Sequence, residues 1–295
     1  MTSTTLAAID IGSNAVRLLI NNVIEFEGER MFKKINIVRL PIRLGEDVFR
    51  NGSISQRNLR RMLNAMRAYR EILVVHGVDH YRGCATSAVR DASNGGELVR
   101  DIQRETGLEI EVISGEEEAD IIYSTHAERL LHRAGAYLYV DVGGGSTECT
   151  FFHEGEPVES RSFRIGTIRL LQDIVSDDHW ADFERWLRTL GETHGRFDLI
   201  GSGGNINNVF KGSLTKKGDP LSAKYIRDFY DFIRSQSYEE RIARLDHKPD
   251  RADVIEPAMR IFTTVFEQTG ARRIYVPKIG LTDGIIRRLA EEVII

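Results

Sequence analysis

The chain has 295 residues, 41% hydrophobic and 28% charged, with 26 Gly and only 6 Pro. This is ordinary globular composition and excludes collagen-like, low-complexity and wholly disordered chains. With 40 Lys and Arg against 44 Asp and Glu, the net charge is −4, so no overall positive field draws it to a nucleic acid polymer, and only a local basic cleft would do so. No stretch approaches the roughly 18 apolar residues of a membrane helix. Asp10 and Arg17 interrupt the first apolar segment, which argues against a secretory signal. Cys84 and Cys149 sit in unrelated contexts without a CxxC or Cys/His cluster, so neither a zinc site nor a disulfide framework is read. The cytoplasm is the expected compartment, with no membrane partner.

At roughly 100–200 residues per domain, the length predicts two domains. Short apolar runs at 6–9 and 16–20 read as strands joined by a turn through Gly12, Ser13 and Asn14. A further strand at 31–40 ends before Pro41, and 58–75 carries Leu59, Met62, Leu63, Met66, Tyr69, Ile72 and Leu73 at helical spacing. Strands follow at 81–85, 109–113, 137–142 and 198–200, and 285–295 reads as a helix that packs back on the first domain. Strands alternating with helices predict an α/β fold.

A search for repeats gives the most informative result. AIDIGSNAVRL from Ala8 can be laid on YVDVGGGSTEC from Tyr139, which puts Asp10 on Asp141, 131 residues apart. In both copies a strand ends in Asp-(Ile/Val)-Gly, turns through small residues and resumes as a strand. This predicts a duplicated domain, 1–127 and 128–295, with the copies facing each other across a central cleft. The boundary falls near 127–135.

A glycine turn between strands leaves backbone N–H groups without strand partners, and these form an anion-binding concavity that a phosphate reaches without meeting a Cβ. The acid before each turn does not bind phosphate itself. It makes sense when a magnesium ion lies between carboxylate and phosphate, since Mg²⁺ uses few carboxylates together with waters and substrate oxygens. A third cluster, LIGSGGNINN from Leu199, runs from a strand into a helix and presents a helix N-terminus to an anion; GxxxxGK[ST] spacing is absent.

DIGSNAVRL from Asp10, SGEEEA from Ser114, DVGGGSTE from Asp141 and GSGG from Gly201 together resemble the exopolyphosphatase / guanosine pentaphosphate phosphohydrolase family. The resemblance extends to ATSAVR from Ala85, SFRIGTIR from Ser162, DRADVI from Asp250 and GLTDG from Gly280, and so covers nearly the whole chain. It implies two ribonuclease-H-like domains of the actin-like ATPase superfamily, a homodimer, and hydrolysis of a terminal phosphoanhydride in inorganic polyphosphate or guanosine pentaphosphate. Long relatives carry an additional C-terminal helical domain. This chain stops at Ile295, so a short form preferring shorter polyphosphates or a nucleotide is expected.

Hydrolysis needs a group that positions and deprotonates water. The acids Glu116, Glu117 and Glu118 are the obvious source, although Ser114-x-x-Glu117 also fits a capping box and acids in a first turn suit the helix dipole. Spacing does not choose among the three; the resemblance implies Glu118 as the base, with Glu148 orienting water or metal. Glu148 also reads as an exposed strand residue. Asp10, Asp141 and Glu148 are the candidate Mg²⁺ ligands. Phosphate is assigned to Gly12, Ser13, Asn14, Gly143, Gly144, Gly145, Ser146, Thr147, Gly203 and Gly204. Arg17 and Arg90 join them as countercharges, each with solvated surface charge as the alternative. Arg164, Arg169, Lys211, Lys216 and Lys217 are candidates for a track along the polymer. Arg164, Asn205 and Thr282-Asp283 depart from the common family pattern; the first two border the expected cleft and leave substrate preference open. A non-hydrolytic alarmone sensor and an ATP-dependent small-molecule kinase are the competing readings.

Overall fold

The computed structural model describes residues 2–125 and 135–294. The expected boundary at 127/128 lies outside the described residues. The chain divides into two compact units, Met1–Thr125 with Gly280–Ile295, and His126–Ile279.

The first unit opens with a long hairpin, β1 (Thr2–Ile11) and β2 (Val16–Phe26), in register from Thr2 opposite Glu25 to Ile11 opposite Val16. β3 (Glu29–Leu40) adds antiparallel to β2, with a register shift between Ile20 and Asn21. α1 (Leu44–Asn51) and α2 (Gln56–Val75) lead to β4 (His80–Ala85), parallel to β1. α3 (Ser87–Asp91), α4 (Gly95–Thr106), β5 (Glu111–Val112) and α5 (Gly115–Tyr123) follow.

β1 buries Leu6, Ala7, Ala8, Ile9 and Ile11 completely, as a central strand covered on both faces must. α2 starts where the Ser55 side chain accepts the Asn58 N–H and turns Met62, Met66 and Tyr69 into the core. The strand expected at 109–113 is shorter: only Glu111 and Val112 pair, with Cys84 and Ala85. Residues 109–110 instead crowd β4, where a Cβ on Gly83 would lie 2.5 Å from Ile110 Cδ1 and 2.9 Å from the Glu109 carbonyl.

The second unit repeats the opening with β6 (Ala136–Val142), β7 (Thr147–His153) and β8 (Glu156–Phe163). It continues through α6 (Thr167–Leu171), α7 (Asp177–His194), β9 (Asp198–Ser202), α8 (Gly204–Gly212), β10 (Leu221–Ser222), α9 (Ala223–Arg234), α10 (Tyr238–Ala243), α11 (Pro249–Ala252), α12 (Ile255–Thr269) and β11 (Arg273–Tyr275). α12 is apolar nearly all round and lies against α7 and α9, closing a core of Leu138, Val140, Phe151, Phe183 and Phe262.

The sheet orders are β3-β2-β1-β4-β5 and β10-β11-β9-β6-β7-β8. Counted from its own hairpin, each sheet runs 3-2-1-4-5 with the second strand antiparallel, and the second sheet adds β10 at its edge. That is the ribonuclease-H-like order, present twice. Last comes α13 (Leu281–Val293), which lies against β1, β2, β4 and α5 of the first unit. It packs so closely that a Cβ on Gly284 would sit 2.0 Å from the Ile121 carbonyl. Lys34 to Asp283 at 2.7 Å, and Arg30 to the carbonyls of Ala290 and Ile294 at 3.3 and 2.9 Å, fasten it to β3.

Candidate active site

Each hairpin turn closes with the same bond: the Gly12 N–H donates to the Ala15 carbonyl at 3.2 Å, and the Gly143 N–H to the Ser146 carbonyl at 2.9 Å. What fixes the direction of the remaining peptide groups is the chain packed behind each turn. In the second unit the carbonyl of Gly143 accepts from Thr167 N–H at 3.0 Å and that of Gly144 from Ile168 N–H at 2.8 Å. The carbonyl of Gly145 accepts from Arg169 Nε at 2.7 Å. No cis peptide occurs among the described residues. In a planar trans peptide the N–H points opposite to the carbonyl, so the N–H groups of Gly144, Gly145 and Ser146 all face away from α6. Three consecutive amides aimed one way form an anion nest. Gly166 permits this packing, because a Cβ there would lie 2.5 Å from the Gly144 carbonyl oxygen.

The first turn is held by a different segment. The Ser13 carbonyl accepts from Gly45 N–H at 2.8 Å and the Asn14 carbonyl from Arg43 N–H at 3.0 Å, which turns the amides of Asn14 and Ala15 outward. Arg43 adopts the left-handed conformation with φ 61° to make this approach, and Ser13 is buried with its hydroxyl 2.9 Å from that of Ser87. At the third cluster Gly203 has φ 102° and leads into α8, whose first amides lack partners within the helix.

Charge at the two hairpins differs. Asp10 is buried and opposite Arg17 in the strand register, with Arg17 Nη1 donating to Oδ2 at 2.9 Å. Burial pushes the Asp10 carboxyl above its ordinary value while Arg17 pulls it back. The alternative of a solvated Arg17 is thus replaced by an ion pair. In the second unit the matching pair is Asp141 opposite Glu148, two carboxylates. Glu148 is 2% exposed and accepts from Ser162 Oγ at 3.0 Å, so it is not an exposed strand residue. The Thr147 hydroxyl donates to the Ile165 carbonyl at 2.6 Å, so that group, assigned to phosphate, is committed inside the fold.

Of the three consecutive acids, Glu116 is exposed, Glu117 pairs with Arg82 at 3.0 Å, and Glu118 is buried. The capping box is half formed: Ser114 Oγ accepts the Glu117 N–H at 3.0 Å, while the Glu117 side chain turns to Arg82 instead of the cap. Arg90 donates to the Ile113 carbonyl at 2.7 Å and braces the approach to α5. Arg169, read as part of a polymer track, is buried behind the second turn; Arg164, Lys211, Lys216 and Lys217 are exposed.

Two features escaped the sequence reading. One is Arg43, which acts through backbone geometry. Arg251 rests on the third turn, where a Cβ on Gly204 would lie 2.2 Å from its Nη1; the DRADVI segment was its only signal. Both cysteines are free and buried, and burial pushes the Cys84 thiol up to about 12 and Cys149 well above its ordinary value.

Among the described residues no group of three or more His, Cys, Asp or Glu is placed to hold a metal ion, and no helix is long and apolar enough to cross a membrane. Asp10 belongs to the first unit, Asp141 and Glu148 to the second. Two opposed carboxylates fit an ion that takes one or two protein carboxylates and fills its shell with water and phosphate oxygens. The Asp10–Arg17 pair fits it less well.

The Ppx/GppA phosphatase family matches residues 23–190. The chain belongs to that family. Exopolyphosphatase 1 of Mycobacterium tuberculosis is 29% identical over 173 residues, 59% of this chain and 49% of that protein. Exopolyphosphatase 2 of the same organism is 33% identical over 183 residues, 60% of this chain and 57% of that protein. The chain spans about half the length of the curated relatives it matches. The crystal structure of the Aquifex aeolicus Ppx/GppA family member superposes with a TM-score of 0.78 at 25% identity, covering 99% of both chains. An exopolyphosphatase structure from Cytophaga hutchinsonii shares the fold with a TM-score of 0.83 at 23% identity, covering 98% of this chain and 99% of that one.

Proposed function

We propose that this protein is a magnesium-dependent phosphoanhydride hydrolase that releases terminal orthophosphate from inorganic polyphosphate or guanosine pentaphosphate, its glycine turns serving as phosphate cradles. The observation that carries this reading is the second turn, where three carbonyls are tied down and three amides are aimed together. Such a preorganised set of donors stabilises charge on non-bridging phosphate oxygens without reorganising during the reaction. Within the same unit the start of α8 presents further donors of this kind, with the Arg251 guanidinium beside Gly204; the first unit has its own outward amides at Asn14 and Ala15.

Glu118 takes the proton of the attacking water. The water oxygen bonds to the terminal phosphorus, the bridging P–O bond breaks, and the shortened chain leaves with the bridging oxygen. Asp141 and Glu148 are the residues that would hold magnesium, which when bound neutralises charge on the phosphate oxygens.

The test is orthophosphate release from polyphosphates of graded length and from guanosine pentaphosphate, with Mg²⁺ present and withheld. Glu118→Gln is expected to lower kcat about 10²–10⁴-fold while substrate still binds. Release at the wild-type rate in that variant removes Glu118 from the mechanism. Binding without release in the unaltered protein turns the reading to a sensor, and release only with a phosphoryl acceptor turns it to a kinase.

A further inference from the structure

α11 has only four residues and no side-chain cap, so it does not hold its own position. Asn208, one turn beyond Gly204 on α8, places Nδ2 2.9 Å from Nδ1 of His247. Four residues after His247 comes Arg251, lying on Gly204. The stretches 204–208 and 247–251 therefore touch at both ends, by an amide–imidazole bond at one and a guanidinium on a glycine at the other. His247 is 7% exposed, and its N–H donates to the Arg241 carbonyl at 3.1 Å. The Arg241 guanidinium in turn donates to the carbonyls of Ala252 at 3.0 Å and Ile233 at 2.9 Å, closing the support around α11.

We propose that His247 is a positioning residue for the third glycine turn: as neutral imidazole it accepts from Asn208 and seats Arg251 on Gly204, and on taking a proton it releases that contact. An oligophosphate bound at this turn then loses affinity on acidification. The second step rests on the turn being a phosphate site, as proposed above. With the amide nitrogen of Asn208 facing the ring, Nδ1 has to be the acceptor, and a protonated ring offers none. The charged groups facing the ring are Arg241 from α10, Arg251 from α11 and Asp246 from the intervening loop. Burial and the two arginines push the His247 pKa below its ordinary 6.5, with Asp246 opposing them.

The test uses the full chain carrying Glu118→Gln, so that inorganic tripolyphosphate binds without turnover, and calorimetry between about pH 7.5 and pH 5. Its affinity is expected to fall about tenfold more with His247 present than in His247→Gln, whose amide oxygen accepts from Asn208 at every pH. Asn208→Asp places a carboxylate on the ring; the imidazolium then keeps the tie, and the excess fall disappears. An NMR titration of the imidazole, which needs no ligand, is expected to read below the ordinary value in wild type and above it in Asn208→Asp. Parallel pH dependence with and without the His247→Gln substitution, or a titration that Asn208→Asp leaves in place, overturns the proposal. A protein binding no tripolyphosphate at any pH overturns the phosphate reading instead, and the titration still decides the tie between Asn208 and His247.

Discussion

The two hairpins share strand order, turn length and closing bond, yet the residue seven positions after the aspartate is Arg17 in one and Glu148 in the other. The first hairpin thus neutralises its buried acid internally. The second places two acids face to face beside the better-formed amide nest. Like charges directly opposed across strands are destabilising, and a cation between them is the natural relief. The two turns thus share a backbone cradle and differ in the strand pair beside it: an acid and a base in the first unit, two acids in the second. The backing differs as well. The first turn is held by a distant segment at 43–45, the second by the residues that directly follow its own third strand.

The comparison is sharpest at the glycines. Gly166→Ala drives a Cβ into turn backbone at 2.5 Å, whereas Gly12→Ala meets the Ala15 carbonyl at 3.1 Å. We expect losses of about 3 kcal/mol for the former and about 1 kcal/mol for the latter in denaturant unfolding, with orthophosphate release failing first in Gly166→Ala. Equal losses would mean that the two turns are equally constrained. Next in size is the cation effect. At a hundredfold excess over Kd, Mg²⁺ is expected to stabilise the protein by about 2.7 kcal/mol, seen as a raised Tm. Asp141→Asn should abolish that rise and Asp10→Asn should keep it. Loss of the rise in Asp10→Asn would place Asp10 on the metal too.

Arg169→Ala frees the Gly145 carbonyl and should cost about 2 kcal/mol, together with a higher KM for polyphosphate. A raised KM in Arg164→Ala with none in Arg169→Ala would restore the polymer-track assignment. Smaller still is Ser13→Ala, about 1 kcal/mol through the lost bond to Ser87. Asp10 also gives the comparison a pH signature. Its folded pKa lies above 3.8, so its ionised form opposes folding, and the penalty grows as pH rises from 3.8 through the folded value. Asp10→Asn should therefore gain stability at neutral pH and none below 3.8, as read from unfolding at both pH values without Mg²⁺.

Much of this was legible from residue patterns. Continuous apolar runs marked β1 and β6, helical spacing marked α2, and the repeated Asp-x-Gly turns marked the duplication, because each follows from short-range chemistry. Which of Glu116, Glu117 and Glu118 is buried was not legible, since it depends on Arg82 reaching across from β4 and on α13 packing against α5. The partners of Arg17 and Arg169 were hidden for the same reason: a lone arginine in a sequence does not say whether it meets solvent, a carboxylate or a carbonyl. Gly166 carries no periodic signal. Its necessity arises only when α6 meets a turn twenty residues earlier.

The return of α13 to the first unit has a consequence for biosynthesis. Every residue of the second unit is translated before the helix that braces α5, although the first unit's sheet was translated earlier. The first unit therefore cannot complete its packing until the whole second unit has been translated, against the usual order in which an N-terminal unit finishes first. A chain truncated after Ile279 should expose the α5 docking face to a protease, and one carried on through Gly280–Ile295 should bury it.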